Sequence, residues 1–409
     1  MTLKEELRQI AAEVIAESLP DAAVRRALGE IPAARGRTIV VSVGKVGWQM
    51  AKAASEMLRG AFDAGYVVTK YDHSKGDLEG FRVFEAGHPQ MDQNSLDATQ
   101  AVLDAVSGLT EDDRVLLLLS GGGSALFEKP LIPLEELQDI NAQLLACGAD
   151  IVEMNTIRKR LSAVKGGRFA QACAPAQVLS IILSDVVGDR EDMIASGPAC
   201  ADRSTAREAI EIVAKYKLRL SPEALALMQA APVSELPNAR SLVTGGVGQL
   251  CEAARAACER RGYAAHVLTS CLCCEAREAG TFLGCIAVTH AQEGRRAYIA
   301  GGETVVHLRG RGKGGRNQEL ALSAAQQIHG LANVAVLSLG SDGTDGPTDA
   351  AGGVVDGASR AMLEAKGLKI FDILDENNAY AGLQACDGLL VTGPTGTNVN
   401  DVSIVLIGN

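Results

Sequence analysis

Five apolar, β-rich runs at 38–43, 64–69, 81–86, 114–119 and 178–184 alternate with helical patterns at 46–59, 95–108 and 134–147. Such alternation leaves few options, because strand–helix–strand units place successive strands in parallel with helices over the sheet. The run Val115–Leu119 is apolar at every position, as a strand covered on both faces must be. The expected fold class is therefore α/β, beginning with a parallel, doubly wound sheet. The segment 231–240, with two prolines and little periodicity, reads as a linker. It divides the chain into domains at 1–236 and 237–409.

Beyond the linker, strands are expected at 241–244, 264–269, 297–300, 303–308, 334–339, 388–391 and 402–407, with helices between most of them. Gly301 and Gly302 are placed to turn a hairpin between two of these runs, which makes the second domain mixed α/β. A chain of 409 residues, 47% of them hydrophobic, has material for two large cores. Its net charge of −11 argues against wholesale binding of nucleic acid or an anionic membrane surface. The amphipathic start and the lack of any run of about 20 apolar residues give a cytoplasmic expectation. Ten scattered cysteines and six histidines show no metal-ligand spacing, although His88 lies in a suspicious loop.

Against this acidic background, positive charge, glycine and hydroxyls gather where strands end, which is where open α/β sheets bind ligands. Lys45 follows the first strand and opens a helix, either as an anion clamp or as a solvated lysine. Ser120, Gly121, Gly122, Gly123 and Ser124 follow the fourth, as a phosphate-type cradle or a tight structural turn. In the cationic stretch 155–168, Arg158 and Lys165 suit a substrate carboxylate or phosphate, with Lys159 and Arg160 left to the surface. Asp185 ends a strand, where it serves to ligate magnesium or accept a hydroxyl proton, and Asp189 either joins it or caps a turn.

The last third holds Arg311, Gly312, Lys313, Gly314, Gly315 and Arg316, then Asp342, Asp345 and Asp349, a set suited to phosphate and a divalent cation. Residues 310–315 also match the G-x-G-x-x-G pattern of dinucleotide-binding loops, so a nicotinamide-dependent reductase is a rival. The extra cations and the three aspartates fit phosphoryl transfer better, since that reaction needs charge neutralised on three moving oxygens.

The segments Val-Gly-Lys at 43–45, Gly-His-Pro at 87–89, Ser-Gly-Gly-Gly-Ser-Ala at 120–125, Asn-Thr-Ile-Arg-Lys at 155–159 and Ser-Asp-Val-Val-Gly-Asp at 184–189 resemble the glycerate 2-kinases with a C-terminal MOFRL domain. Ile-Ala-Ser-Gly-Pro at 194–198, Gly-Gly-Glu-Thr at 301–304, Gly-Lys-Gly-Gly-Arg-Asn-Gln-Glu at 312–319, Asp-Gly-Pro-Thr-Asp-Ala-Ala-Gly at 345–352 and the loop 392–401 continue the resemblance in family order. The resemblance implies a Rossmann-like N-terminal domain, a smaller α/β domain with its MOFRL region at about 297–405, and an active site in the interdomain cleft. It implies ATP- and magnesium-dependent phosphorylation of D-glycerate at the 2-hydroxyl, by a monomer or homodimer.

On this reading Lys45, Arg316 and Asp185 are catalytic. Ser120–Ser124, Arg158 and Lys165 bind glycerate, while Gly312, Lys313, Gly314, Gly315, Thr395 and Asn398 bind nucleotide. Asp189, Asp342, Asp345 and Asp349 hold Mg2+. Hydroxypyruvate reductase, a label also carried within the family, and a non-catalytic nucleotide-binding regulator are the alternatives.

Overall fold

The computed structural model describes residues 1–409 apart from 30, 32, 33, 185, 187 and 189. Two compact units emerge, one from Pro20–Ser184 and the stretch up to Thr244, the other from Met1–Leu19 and Gly245–Asn409.

In the first unit the strands are β1 Thr38–Val43, β2 Ala64–Lys70, β3 Phe81–Ala86, β4 Arg114–Leu119, β5 Gln177–Leu183 and β6 Ala239–Gly245. Their order is β3-β2-β1-β4-β5-β6, and the pairs from β3 through β5 are parallel. Every residue of β1 is buried, as are Val115–Leu119 of β4, matching strands covered on both faces. Full burial of one such leucine contributes about 2 kcal/mol. Four helices, Leu134–Ala146, Ile151–Arg160, Ala206–Tyr216 and Pro222–Gln229, share a separate core around Ile140, Leu144, Ile157 and Ile212. Capping boxes from Asp150 and Thr205 fix two of their starts.

The second unit adds β7 Ala264–Leu272, β8 Arg296–Gly302, β9 Val334–Gly340, β10 Gly352–Asp356, β11 Leu389–Leu390 and β12 Asp401–Ile407. These run in the order β11-β10-β9-β12-β8-β7, with β7–β8 parallel and the other neighbours antiparallel. Helix Leu3–Glu17 belongs here, because Leu7, Ile10, Ala11 and Val14 are buried and Glu13 pairs with Arg261 at 2.5 Å. Among the described residues no helix is long and apolar enough to cross a membrane.

Three sequence expectations change. The division at 237 falls before β6, which hydrogen-bonds into the first sheet, and the N-terminal helix joins the second unit through its apolar face. The hairpin at Gly301–Gly302 is not formed, since residues 303–305 run on beside the end of β7: Glu303 N donates to Leu272 O and Val305 N to Cys274 O. The antiparallel partner of β8 is instead β12. Strand β10 lies in a stretch the glycines at 352 and 353 had disguised as loop.

The lower ends of β1 and β4 are tied by Asp113, only 5% exposed, which accepts Thr110 N at 2.8 Å and Arg37 N at 2.7 Å. The Thr110 and Arg37 amides hold its carboxyl down at about 2, so it stabilises the fold above its ordinary range and loses that contribution as pH falls through about 2. Urea midpoints measured from pH 5 to pH 2 should therefore fall less steeply in Asp113→Asn than in the parent, from a lower starting value. Parallel curves would contradict this.

Candidate functional site

With β1 and β4 adjacent and their chains leaving to opposite sides, a crevice opens at their carboxyl ends. Lys45 and the Ser120–Ser124 loop meet there. Lys45 N donates to Gly121 O at 2.8 Å, Ser120 N donates to Val43 O at 2.9 Å, and Val46 N donates to Ser120 Oγ at 3.4 Å. Gly44 sits between them at φ +126°, where a Cβ would lie 2.1 Å from Ser120 Oγ, so the interlock demands glycine. Ser120, expected to hold substrate, is thus a buried clasp for the Lys45 loop. The half-buried Lys45 ammonium has no carboxylate within ion-pair distance among the described residues.

Beside this crevice is a cavity of about 530 Å³ that brings together Gly122, Ser124, Arg158 and Lys165, with His88, Glu128 and Asn141 also in its wall. Gly121 and Gly123 serve the loop itself, Gly123 packing against Ala195. Arg158 comes from helix Ile151–Arg160 and its Nε donates to Asn141 Oδ1 at 2.6 Å, but no carboxylate bridges it among the described residues. Burial lowers its pKa, opposed by the Glu128 charge. Lys165, 1% exposed, donates to Glu128 Oε2. Burial pushes the Lys165 ammonium down against the pull of Glu128. Because that pair is neutral as a unit, Arg158 leaves the cavity with one net positive charge.

Ser124 Oγ lies 3.0 Å from Ser196 Oγ, which donates to Asn155 Oδ1 at 3.0 Å. His88 packs over Gly122: a Cβ there would be 3.1 Å from His88 Nε2 and 3.2 Å from Lys45 Cγ. Lys159 and Arg160, expected on the surface, are buried. Lys159 sits between Asp192 at 3.5 Å and Asp202 at 3.6 Å, while Arg160 donates to the carbonyls of Ala230 and Ser204. Glu128, Asn141, Asn155 and Ser196 were not singled out by sequence. Asn155 and Ser196 lie inside quoted motifs, whereas a lone glutamate and a mid-helix asparagine gave no local signal. Asp185 and Asp189 lie outside the described residues.

In the second unit, β8 and β9 end beside the start of β12, so that Asp401 pairs in register with Gly302 and Gly340. Arg316 opens helix Arg316–Gln327 at this point. Its Nε and Nη2 donate to the two Asp401 oxygens at 2.5 and 3.0 Å, and Nη1 donates to Glu303 Oε1 at 2.9 Å. Burial acts to lower its pKa, but the Asp401 hydrogen bonds together with the charges of Asp401, Glu303 and Asp345 outweigh it and hold the guanidinium above its ordinary value. Arg316 is therefore a fixed, paired cation, with the Nη1 edge shared with the more exposed Glu303.

The expected phosphate loop is differently employed. Arg309 N and Gly310 N donate to Asn377 Oδ1, Gly312 N to Glu376 O and Lys313 N to Asn378 Oδ1. Those amides face residues 376–378 and are not free for phosphate. The Lys313 ammonium lies 4.6 Å from the Tyr380 ring centroid. Gly314 packs against Ala379, and Gly315 has no room for a Cβ because the Asp345 carboxyl would be 2.3 Å away. Thr395 Oγ1 donates to Ser341 O at 2.6 Å, and half-buried Asn398 has no side-chain hydrogen bond among the described residues.

The three expected metal ligands of the second unit each have a different partner. Asp342 caps its own turn by accepting Thr344 N at 2.9 Å, and Asp349 accepts Tyr380 OH at 2.8 Å. Asp345 accepts Asn317 N and Gln318 N at 3.2 and 2.9 Å, supplying the N-cap carboxylate that Gly315 lacks. No group of three or more His, Cys, Asp or Glu suited to a metal ion occurs among the described residues. A ready-made protein cage for magnesium does not fit these carboxylates.

Residues 6–229 match a domain of unknown function, DUF4147, and residues 296–401 match the MOFRL family. The D-glycerate 2-kinase of Thermotoga maritima is 47% identical, over 98% of this chain and 99% of its own length. A crystal structure of glycerate kinase from Thermotoga maritima superposes with a TM-score of 0.96 at 46% identity, covering 99% of each chain. A protein of Agrobacterium vitis with a provisional hydroxypyruvate reductase name is 37% identical over 100% of this chain and 95% of its own.

Burial raises the Asp345 carboxyl to about 6, above its ordinary value of 3.8. A raised acid stabilises the fold fully below its ordinary value and loses that contribution as pH climbs through about 6. Asp345→Asn should therefore remove a downward step in the urea midpoint between pH 4 and about 6. The same step in parent and variant would contradict the assignment.

Proposed function

The chain belongs to the glycerate 2-kinase family with a C-terminal MOFRL region, and from that premise we propose that it transfers the γ-phosphoryl group of ATP to the 2-hydroxyl of D-glycerate, giving 2-phosphoglycerate and ADP. One observation carries the substrate assignment: a cavity of about 530 Å³ whose net positive charge resides on Arg158, a half-buried cation with no carboxylate partner among the described residues. A small monocarboxylate supplies the missing charge. Its carboxylate binds Arg158, with Ser124 and the Lys165–Glu128 pair in the same wall, and its 2-hydroxyl points toward Gly122 and Lys45.

Phosphoryl transfer needs mainly alignment and neutralisation of charge on the moving oxygens, and Lys45 supplies that charge from the β1 crevice. ATP is assigned to the strand ends of the second unit, where Arg316 is held by Asp401 and shares its Nη1 edge with Glu303, and where Thr395 and Asn398 shortly precede Asp401 in sequence. Catalysis on this reading needs exclusion of the water that competes for the γ-phosphoryl. Magnesium enters on the phosphates of ATP, an arrangement that needs only one or two protein carboxylates. The reductase reading loses support, since three amides of the G-x-G-x-x-G loop, those of Gly310, Gly312 and Lys313, are engaged by residues 376–378.

Arg158→Ala should raise KM for D-glycerate about tenfold or more, the loss of one charge-assisted contact. Lys45→Ala should lower kcat about a hundredfold with unchanged melting temperature, and Arg316→Ala should lower kcat about as much with a reduced melting temperature, because it strands the buried Asp401 carboxylate. A coupled assay through enolase, which accepts 2- but not 3-phosphoglycerate, reads both constants and the product. Hydroxypyruvate-dependent oxidation of NADH or NADPH, without ATP consumption, would overturn the proposal.

A further inference from the structure

We propose that His88 accepts the proton of the glycerate hydroxyl that attacks the γ-phosphorus. This rests on the phosphoryl-transfer reading above. His88 lies in the loop after β3 and lines the substrate cavity together with Gly122, Ser124 and Arg158. Its ring covers Gly122 on the side where the Lys45 side chain also packs. Neither ring nitrogen has a hydrogen-bond partner among the described residues, in contrast to His73, whose Nδ1 is bound to Lys45 O at 2.9 Å. The other base in the wall, Glu128, is almost fully buried and occupied by Lys165.

The arrangement orients the substrate. With the carboxylate at Arg158 and the phosphoryl group near Lys45, the hydroxyl between them falls to the His88 and Gly122 side of the cavity. As the new O–P bond forms and the bond from γ-phosphorus to the β–γ bridging oxygen breaks, the hydroxyl proton passes to the imidazole and ADP leaves with the bridging oxygen. The groups acting on the ring agree with a neutral resting imidazole. Burial first, then the charges of Lys45, Lys70 and His73, all lower its pKa below the ordinary 6.5.

His88→Gln should lower kcat about a hundredfold, the usual range for losing a positioned base, while KM for D-glycerate stays within about threefold. In the parent enzyme kcat/KM should fall as pH drops through a value below 6.5, and that acid limb should vanish in the variant, with partial rescue by added imidazole. Near-parental kcat in His88→Gln, or an unchanged acid limb, overturns the role. Should the variant not fold, the parent still decides: the NMR titration of His88 must coincide with the acid limb, and a flat profile or a mismatch overturns it. A parent enzyme that does not phosphorylate D-glycerate overturns both this role and the reading beneath it, whereas failure confined to the His88 tests overturns the role alone.

Discussion

The interlock between the loops that follow β1 and β4 is the constraint on which the site depends. Lys45 N to Gly121 O, Val46 N to Ser120 Oγ and Ser120 N to Val43 O bind two loops that the sequence separates by more than 70 residues. They tie the backbone of Lys45 to the loop that supplies Gly122 and Ser124 to the cavity wall, and both loops grow from strands buried at their carboxyl ends. Proximity of this kind supplies much of what a phosphoryl transfer requires, since the reaction asks the protein for position and charge more than for covalent chemistry.

Electrostatics divides the two units. In the first, a neutral Lys165–Glu128 pair and an Arg158 with no carboxylate partner among the described residues leave positive charge for a substrate anion. In the second, Arg316, Asp401, Glu303 and Asp345 form a compact network in which each charge already has a partner or a helix amide. Burial raises Asp401 while Arg316 opposes it, so the carboxylate and guanidinium hold each other in place. Arg316 thus owes its fixed geometry to the same bonds that reduce its free charge.

Much of this was legible in the residues. Unbroken apolar runs marked β1 and β4 because a strand covered on both faces has no polar side, and charge and hydroxyls at strand or helix ends in an acidic chain pointed to Lys45 and to Ser124, Arg158 and Lys165, the last three of which line one cavity. The glycine-rich loop was harder to read because glycine permits close approach without naming what approaches. Here residues 376–378 meet the amides of Gly310, Gly312 and Lys313. The aspartates were harder to read likewise, since spacing does not distinguish a metal ligand from the cap that Asp345 gives helix Arg316–Gln327. Glu128 and Asn141 had no periodic or motif signal, as their role arises only when distant helices close around the cavity. The boundary at 237 failed because prolines marked a bend before β6, not the end of its sheet.

The central claim is that the cavity beside Lys45 holds D-glycerate by its carboxylate. A crystal structure with D-glycerate and a non-hydrolysable ATP analogue tests it directly. The account predicts the glycerate carboxylate on Arg158 with the 2-hydroxyl toward His88 and Lys45. Glycerate bound away from Arg158 with this cavity empty would contradict it.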